Sequence, residues 1–249
     1  MQDESTQTSK TGAAYRQLRR DILSARLRPD TPLKLRQLEA RYGLGWTPLR
    51  EALSRLEAER LVVSSNHRGF VVAPVSQAEL EDLARARHAV ELPLLFEAME
   101  HGGTAWEDAI ITAHYRLSRC KTYVEDMSDA AADEWDARHE AFHAALLGGA
   151  PSHWLLRLRA ILSDQLLRHH RYLGLLRVDE SRGMTPEAAA RHTALLRAAQ
   201  ALEPHTALML AVLGRDAARV QVLFGEHVGH TVRVYTEGAA PLTSGCKDR

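Results

Sequence analysis

The strongest constraint on the fold is a single pair of β-rich runs that follows three short amphipathic helices. The runs lie in LVVSSNHRGFVVAPV, residues 61–75, on either side of a polar turn, which is typical of a β-hairpin. Before them, apolar residues recur at helical spacing over about 13–26, around 35–42 and around 49–56. This order predicts a winged helix-turn-helix domain over residues 13–75.

In a helix-turn-helix the second helix enters the major groove of DNA, and its first residues reach base edges. Arginine suits this position because its guanidinium forms paired hydrogen bonds to guanine or phosphate. Leu49, Leu53 and Leu56 recur at helical spacing and would pack inward. The residues predicted to contact DNA are Arg36, Gly45, Trp46, Thr47, Pro48, Arg50 and, at the wing tip, Arg68 and Gly69.

The charge distribution agrees with a polyanion-binding N-terminal unit. Residues 1–75 carry 13 lysines and arginines against 8 acidic residues, and the remainder carries 19 against 24, so a neutral chain divides into +5 and −5. Solvated arginines alone would give the same charge, but the hairpin directly after the third helix favours DNA binding. No apolar run approaches the roughly 20 residues of a membrane span, and the N-terminus has no apolar core of a secretory leader. Two cysteines form no disulfide framework, so we expect a cytoplasmic protein.

From residue 76 onward the pattern is helical, and no strand is predicted. Helices are expected near 76–101 (interrupted or kinked at Pro93), 105–126, 130–147, 152–176, 186–202, 204–213 and 216–236. The predicted fold class is therefore mainly α, with an N-terminal winged helix-turn-helix and a C-terminal all-α bundle over 76–236. The polar ends, 1–12 and 237–249, are predicted to be a disordered arm and a flexible tail.

Four histidines of the bundle have spacings that suit a metal ion. His139 and His143 are four residues apart, hence on one helical face. His205 precedes Asp216 by 11 residues and His227 follows it by 11, so the two would face each other if 214–216 joins antiparallel helices. Three or four imidazoles suit a divalent ion such as Zn²⁺ or Ni²⁺. In a unit this rich in histidine, surface or core roles remain the alternative.

The N-terminal unit resembles the GntR family of bacterial repressors. The resemblance covers 13–75 and rests on YRQLRRDILSARLRPDTPLKLRQLEARYG, TPLREALSRLEAERLV and HRGFVV in that order. It implies DNA contacts by Arg36, Thr47, Arg50 and Gly69. Many members have Ser/Thr-Arg before the Thr-Pro pair, whereas this chain has Gly45-Trp46. We therefore expect Trp46 to govern a different operator preference.

The C-terminal unit resembles the all-helical ligand-binding (FCD) domain of the FadR-type branch of that family. The motifs are Phe142-His143-x-x-Leu146, His205 to Asp216, and Glu226-His227. Many such domains hold a metal with one Asp and three His; here three histidines match and His139 stands in the place of the Asp. The resemblance implies a homodimer on a pseudo-palindromic double-stranded operator and a small carboxylate effector, with a dicarboxylate such as glutarate favoured. Arginine forks suit a carboxylate, and the effector-binding residues expected are Arg87, Arg168, Arg171 and Tyr172.

Two other functions fit parts of the pattern. A helical metalloenzyme would use the histidines to activate water, with Glu140 adjoining them in sequence, but the basic winged helix would then lack a purpose. A metal-free architectural protein would bind DNA without responding to an effector. The expected function is therefore a DNA-binding transcriptional regulator, with repression favoured over activation, that is controlled by a carboxylate at a metal-containing helical domain.

Overall fold

A computed structural model describes residues 2–65, 69–126, 128–176 and 185–238. Contacts between residues divide the chain into an N-terminal unit, Met1–Ser76 with Asp164–Tyr172, and a C-terminal unit, Gln77–Ser163 with Leu173–Arg249. The architecture is mainly α, as predicted.

The N-terminal unit is a winged helix-turn-helix. Its elements are α1 Gln2–Leu23, α2 Leu35–Tyr42, α3 Trp46–Ala58, β1 Val62–Ser65 and β2 Gly69–Val72. The two strands pair antiparallel, with Val62 opposite Val72 and Ser65 opposite Gly69. Pro32 adds a bridge to Val71 on the other side of β2. Leucines of the three helices form the core with Val62 and Val72, because each helix places its apolar stripe inward.

The structure differs from expectation at the N terminus. Helix α1 begins at Gln2, so residues 2–12 of the predicted disordered arm are helical. Extending an existing helix adds one hydrogen bond per residue without a new nucleation step. The amphipathic segment that contains Tyr15, Leu18 and Ile22 supplies that nucleus.

The regular elements in the described part of the C-terminal unit are all helices. Its elements are α4 Gln77–His101, α5 Thr104–Ser118, α6 Asp129–Leu147, α7 His153–Leu176, α8 Pro186–Ala199, α9 Leu202–Leu213 and α10 Ala217–Gly238. Ser128 and Thr185 cap α6 and α8 by accepting the amide hydrogens of Ala131 and Ala188. The main core joins Leu94, Ile110, Phe142, Leu208 and Phe224 from five helices. No helix in the described ranges is long and apolar enough to cross a membrane.

Two expectations for this unit were wrong in detail. Helix α4 runs through Pro93, so the predicted interruption is absent; the fully buried Leu94 and Leu95, which follow the proline, anchor the helix in the core despite the missing amide hydrogen. Helix α5 ends at Ser118 rather than near 126. Residues 119–126 instead form a turn in which Glu125 accepts hydrogen bonds from the backbone and hydroxyl of Thr122.

One segment of α7 belongs to the N-terminal unit rather than to the predicted C-terminal domain. Arg168 is fully buried there and donates hydrogen bonds to the carbonyls of Ala73 and Pro74, at 2.6 and 2.8 Å. Gln165 donates to the carbonyl of Glu59 at 2.9 Å. These side chains donate hydrogen bonds to backbone carbonyl groups that flank the hairpin. The predicted tail over 237–249 lies outside the described residues from 239 onward, and α10 includes 237 and 238.

Candidate functional site

The N-terminal unit presents the predicted DNA-contacting residues on one helix and its surroundings. In α3, Trp46, Thr47 and Arg50 are exposed, whereas Pro48, which was predicted to face the DNA, is buried beside Leu49. Arg36 is exposed near the start of α2, and Gly45 immediately precedes α3 in extended backbone. The helix therefore turns its apolar side to the core and leaves polar groups of its first turns toward solvent.

The wing tip is described in part. Gly69 opens β2 with φ +68°, a left-handed conformation that favours glycine. It is exposed, and an added Cβ would contact nothing within 4 Å. The backbone conformation rather than crowding thus explains glycine at this position. Arg68 lies outside the described residues.

The C-terminal unit brings the four predicted histidines together. One ring nitrogen from each of His139, His143, His205 and His227 lies within 4.8 Å of the others. The Nε2 atom of His143 lies 3.1 Å from Nε2 of His139 and 3.1 Å from Nε2 of His227. The rings of His205 and His227 are 4.8 Å apart between centroids, as the equal spacing about Asp216 predicted.

These distances fit a shared cation. Two nitrogens bound to one ion at about 2.0–2.1 Å lie roughly 2.9 Å apart at a right angle and roughly 3.3 Å apart at the tetrahedral angle. The observed 3.1 Å falls between these values. Four neutral imidazoles suit a borderline divalent metal.

His205 supplies a separate indication that the cluster fits a metal. Its Nδ1 lies 2.8 Å from the carbonyl of Ala201, so this nitrogen donates and Nε2 keeps its lone pair. Nε2 is buried and has no hydrogen-bond partner within the described chain. A metal-binding histidine has this arrangement, in which the second nitrogen is fixed by a carbonyl.

Burial keeps at least two of these rings neutral at pH 7. It lowers the pKa of His205 from 6.5 to about 4. Burial, the neighbouring histidines and Arg87 also hold the pKa of His143 well below its usual value. Protons therefore compete little with a cation for these two nitrogens near neutral pH.

We expect the metal-free protein to lose stability as the pH falls from about 6.5 to about 4. The unfolded chain binds a proton on His205 in this range and the folded chain does not, so acid favours unfolding. The shift corresponds to about 3 kcal/mol in the free energy of unfolding. Urea titrations of stripped protein across this range measure it. His205→Asn should reduce the pH dependence, to which His143 still contributes, whereas the exposed control His153→Asn should leave it unchanged; equal behaviour of both variants would contradict the assignment.

Aromatic residues hold the half-buried member of the cluster. The indole of Trp135 stacks on the ring of His139, with centroids 4.4 Å apart and planes 15° apart. Tyr123 contacts the edge of Trp135 and donates a hydrogen bond to Asp136. Trp135 is therefore a positioning residue that the sequence reasoning missed, although its place one helical turn before His139 was a usable signal.

A buried network of charges adjoins the histidines. Arg87 places Nε 3.1 Å from Oε1 of Glu91 and NH2 3.4 Å from Nδ1 of His143. Arg159 of α7 places its Nε 3.6 Å from the same Glu91 oxygen and pairs with Glu140. Arg87, Glu91 and Arg159 are all buried. Two buried cations thus share one buried carboxylate, and Glu140 at the rim supplies a further anion.

The predicted effector residues divide into two groups. Arg87 lies beside the histidines, as expected. Arg168, Arg171 and Tyr172 belong to the N-terminal unit, and Arg168 is occupied by the carbonyls of Ala73 and Pro74. Arg159 was missed; its signal was that it is one of two arginines, with Arg157, in an otherwise apolar helical stretch, WLLRLRAIL.

A cavity of about 630 Å³ reaches the cluster from another side. Its volume is typical of sites for small molecules. The cavity is lined by His205 of the histidine cluster and by Trp135, which stacks on His139. Its lining also includes Leu117, Cys120, Arg197 and Glu203. A small molecule could therefore approach the centre through this cavity.

Comparisons with known proteins agree with both units. Residues 10–72 match the family described as bacterial regulatory proteins, gntR family. The chain is 39% identical over 214 residues to the HTH-type transcriptional repressor GlaR of Escherichia coli (strain K12), covering 86% of this chain and 90% of that protein. It is 30% identical over 222 residues to the uncharacterized HTH-type transcriptional regulator BphR of Paraburkholderia xenovorans (strain LB400), covering 89% and 83%.

Solved structures show the same fold. The E. coli protein McbR/YncC has a TM-score of 0.66 at 19% identity, covering 91% of this chain and 97% of that one. A transcriptional regulator from Rhodococcus sp. RHA1 has a TM-score of 0.65 at 17% identity, covering 91% and 98%.

Proposed function

Because the chain belongs to the gntR family of bacterial regulatory proteins, we propose that it is a repressor controlled by a small carboxylate at a metal centre. It is a DNA-binding transcriptional regulator and not an enzyme, so the metalloenzyme alternative is set aside. The observation that carries the effector proposal is the histidine cluster with two buried arginines beside it. The E. coli relative GlaR is a transcriptional repressor by name, which supports repression rather than activation.

The winged helix would read operator DNA through the first turns of α3. Trp46, Thr47 and Arg50 are exposed there, and Arg36 stands nearby on α2. Arginine side chains can meet guanine or phosphate. At the wing tip, Arg68 and Gly69 would contact the sugar–phosphate backbone of the DNA beside the major groove. The excess of five positive charges in residues 1–75 would steer the unit toward DNA.

The histidine cluster would hold a divalent ion, with zinc or nickel as the leading candidates. The unpartnered Nε2 of His205 and the 3.1 Å spacing of the other nitrogens support this. A bound ion would supply a Lewis-acidic position for a carboxylate oxygen. Since His139 replaces the family's usual Asp, the ligands would leave the full positive charge of the ion available to an anionic effector.

Arg87 and Arg159 would recognise the effector carboxylate. Both are buried and share the buried Glu91. The second partner of Arg159, Glu140, is half exposed, so an incoming carboxylate would take its place at Arg159 and keep the charges balanced. A dicarboxylate such as glutarate is the first compound to test, on the resemblance alone. Its binding would release DNA only if the bound state has a lower affinity for the operator.

Metal-replete protein on operator DNA should release it when glutarate is added, as measured by a mobility-shift assay. Arg87→Lys keeps the charge beside Glu91 but loses the paired donors, so it should keep its metal and lose about 10- to 100-fold in effector affinity. The exposed control Arg85→Lys should respond as the parent does. If stripped protein binds carboxylates as tightly as metal-replete protein, the metal has no part in effector binding.

The chain would act as a homodimer, with an exposed apolar stripe on α7 as the contact. Trp154, Leu158 and Ile161 lie one or two turns apart on one helical face and are 75%, 46% and 54% exposed. A twofold axis would place this stripe against itself in a second copy. The same axis would match the two halves of a pseudo-palindromic operator.

Trp154→Glu should weaken the dimer about 30-fold or more, since buried tryptophans at interfaces contribute at least about 2 kcal/mol. Sedimentation equilibrium measures the change. Ile111→Glu on α5 is the matched control, because Ile111 is 52% exposed but lies on another helix. Dissociation by the control and not by Trp154→Glu would place the interface elsewhere.

A further inference from the structure

Two exposed side chains of the N-terminal unit form a hydrogen bond with each other on the surface that would contact DNA. The indole Nε1 of Trp46 donates to Oε2 of Glu39 at 2.7 Å. Trp46 is the first residue of α3, and Glu39 lies on α2. Trp46 is 53% exposed, so the bond fixes a large ring that is otherwise open to solvent. A hydrogen bond to an ionised carboxylate is stronger than one between neutral groups.

We propose that Glu39 is a specificity-determining residue, which holds Trp46 so that the indole reads the methyl group of a thymine. This inference rests on the proposed contact of α3 with operator DNA. It adds a residue of α2 that carries no positive charge and that the sequence pattern did not single out.

The chemistry of the indole limits what Trp46 can read. Tryptophan has one polar donor and no acceptor. With its N–H directed to Glu39, the ring offers a base pair only carbon surface. In the major groove, thymine alone presents an apolar group, its C5-methyl. The occupied donor therefore favours thymine over guanine, which requires donors for O6 and N7.

The carboxylate of Glu39 also opposes indiscriminate binding. A negative charge close to the first turn of α3 repels phosphates, and phosphate contacts dominate sequence-independent affinity. This repulsion acts on every sequence, so it lowers the overall affinity, while discrimination between sequences comes from the contact with one base. Glu39 would thus have two effects, orienting the ring and lowering sequence-independent affinity.

The indole of Trp46 is accessible to a base. The side chain is 53% exposed although its N–H is bound to Glu39. Gly45 precedes it with a φ of −65°, a conformation that does not require glycine.

The test removes one methyl group at a time from DNA. A binding site is first selected from random DNA with the full-length protein, and each thymine of a half-site is then replaced by deoxyuridine. At one thymine per half-site the affinity should fall about fourfold, the effect of about one buried methyl or methylene. Replacing that thymine–adenine pair by 5-methylcytosine–guanine should restore part of the loss, whereas cytosine–guanine should not.

Protein variants then assign the effect to Glu39. Glu39→Ala should bind DNA but lose the dependence on the methyl group, because the indole is no longer held. Glu39→Gln keeps an acceptor and should retain the dependence while binding all sequences more tightly. Glu51→Ala removes a different carboxylate, one that accepts a hydrogen bond from Thr11, and should leave the methyl dependence unchanged.

The outcomes separate the role proposed for Glu39 from the proposed DNA-binding function of the chain. Methyl dependence in the parent that persists in Glu39→Ala overturns the role of Glu39. Absence of methyl dependence at every thymine overturns the reading by Trp46 as well. A Glu39→Ala variant that loses preference for cytosine or adenine would show that Glu39 accepts from a base amine instead, which also overturns the proposal. Failure of the parent protein to bind any DNA would contradict the proposed function itself.

Discussion

Operator affinity should fall about 10³- to 10⁵-fold between about 50 and about 200 mM salt if a dimer neutralises about 6–10 phosphates. The physical reason is the release of condensed counterions, which salt makes less favourable. The excess of five positive charges in residues 1–75, on a chain that is otherwise acidic, motivates this expectation. Fluorescence anisotropy with a labelled operator at several salt concentrations gives the slope directly.

Arg50→Ala should reduce specific affinity by about 5- to 150-fold per half-site, since one paired arginine–base contact contributes about 1–3 kcal/mol. Arg50 is exposed one turn into α3, where a recognition helix meets base edges. If it contacts phosphate instead, the variant should weaken binding to all sequences equally and lower the salt slope by about one.

Arg55 is the matched control on the same helix. Its guanidinium lies 3.8 Å from the centroid of the Tyr15 ring, and its Nε lies 3.7 Å from Oε1 of Glu59, so its interactions are within the unit. Arg55→Ala should therefore leave base preference unchanged. Unchanged binding by Arg50→Ala, or association that is independent of salt, would refute α3 as the DNA-reading helix.

The sequence predicted those features that depend on regular spacing. Apolar periodicity and a single hairpin were enough to predict the winged helix, because few other folds place two strands directly after three short helices. The i,i+4 pair His139 and His143 shares a helical face by geometry alone. His205 and His227 were predicted to meet because they are equally distant from the turn near Asp216, and the structure confirms that they do.

Features that depend on contacts between distant residues were not predictable in this way. Arg168 donates hydrogen bonds to the backbone carbonyls of residues 73 and 74, and no local sequence pattern indicates those partners. Arg159 reaches Glu91 from another helix, so its role depends on tertiary packing. The uninterrupted course of α4 through Pro93 likewise depends on the buried neighbours that outweigh a local helix breaker.

Removing one histidine of the cluster should abolish tight metal binding and the stability that it provides. Each chain is expected to bind one divalent ion. At free metal about 1,000-fold above its dissociation constant, the free energy of unfolding should rise by about 4 kcal/mol, because only the folded chain brings the four nitrogens together. His143→Ala should lose this gain, since Nε2 of His143 lies 3.1 Å from two of the other ligand nitrogens.

Three further variants separate loss of the ion from loss of the fold. His139→Ala removes the half-buried member and should fold with weakened metal binding. His139→Asp restores the ligand usual in the family and should bind the ion again, with the site charge lowered by one. His153→Ala, an exposed histidine at the start of α7, should match the parent. Elemental analysis with thermal unfolding at several metal concentrations distinguishes these variants. Equal stability of stripped and metal-replete parent protein would show that the four rings only pack against one another, because binding to the folded state alone must raise stability in proportion to the logarithm of the free metal concentration.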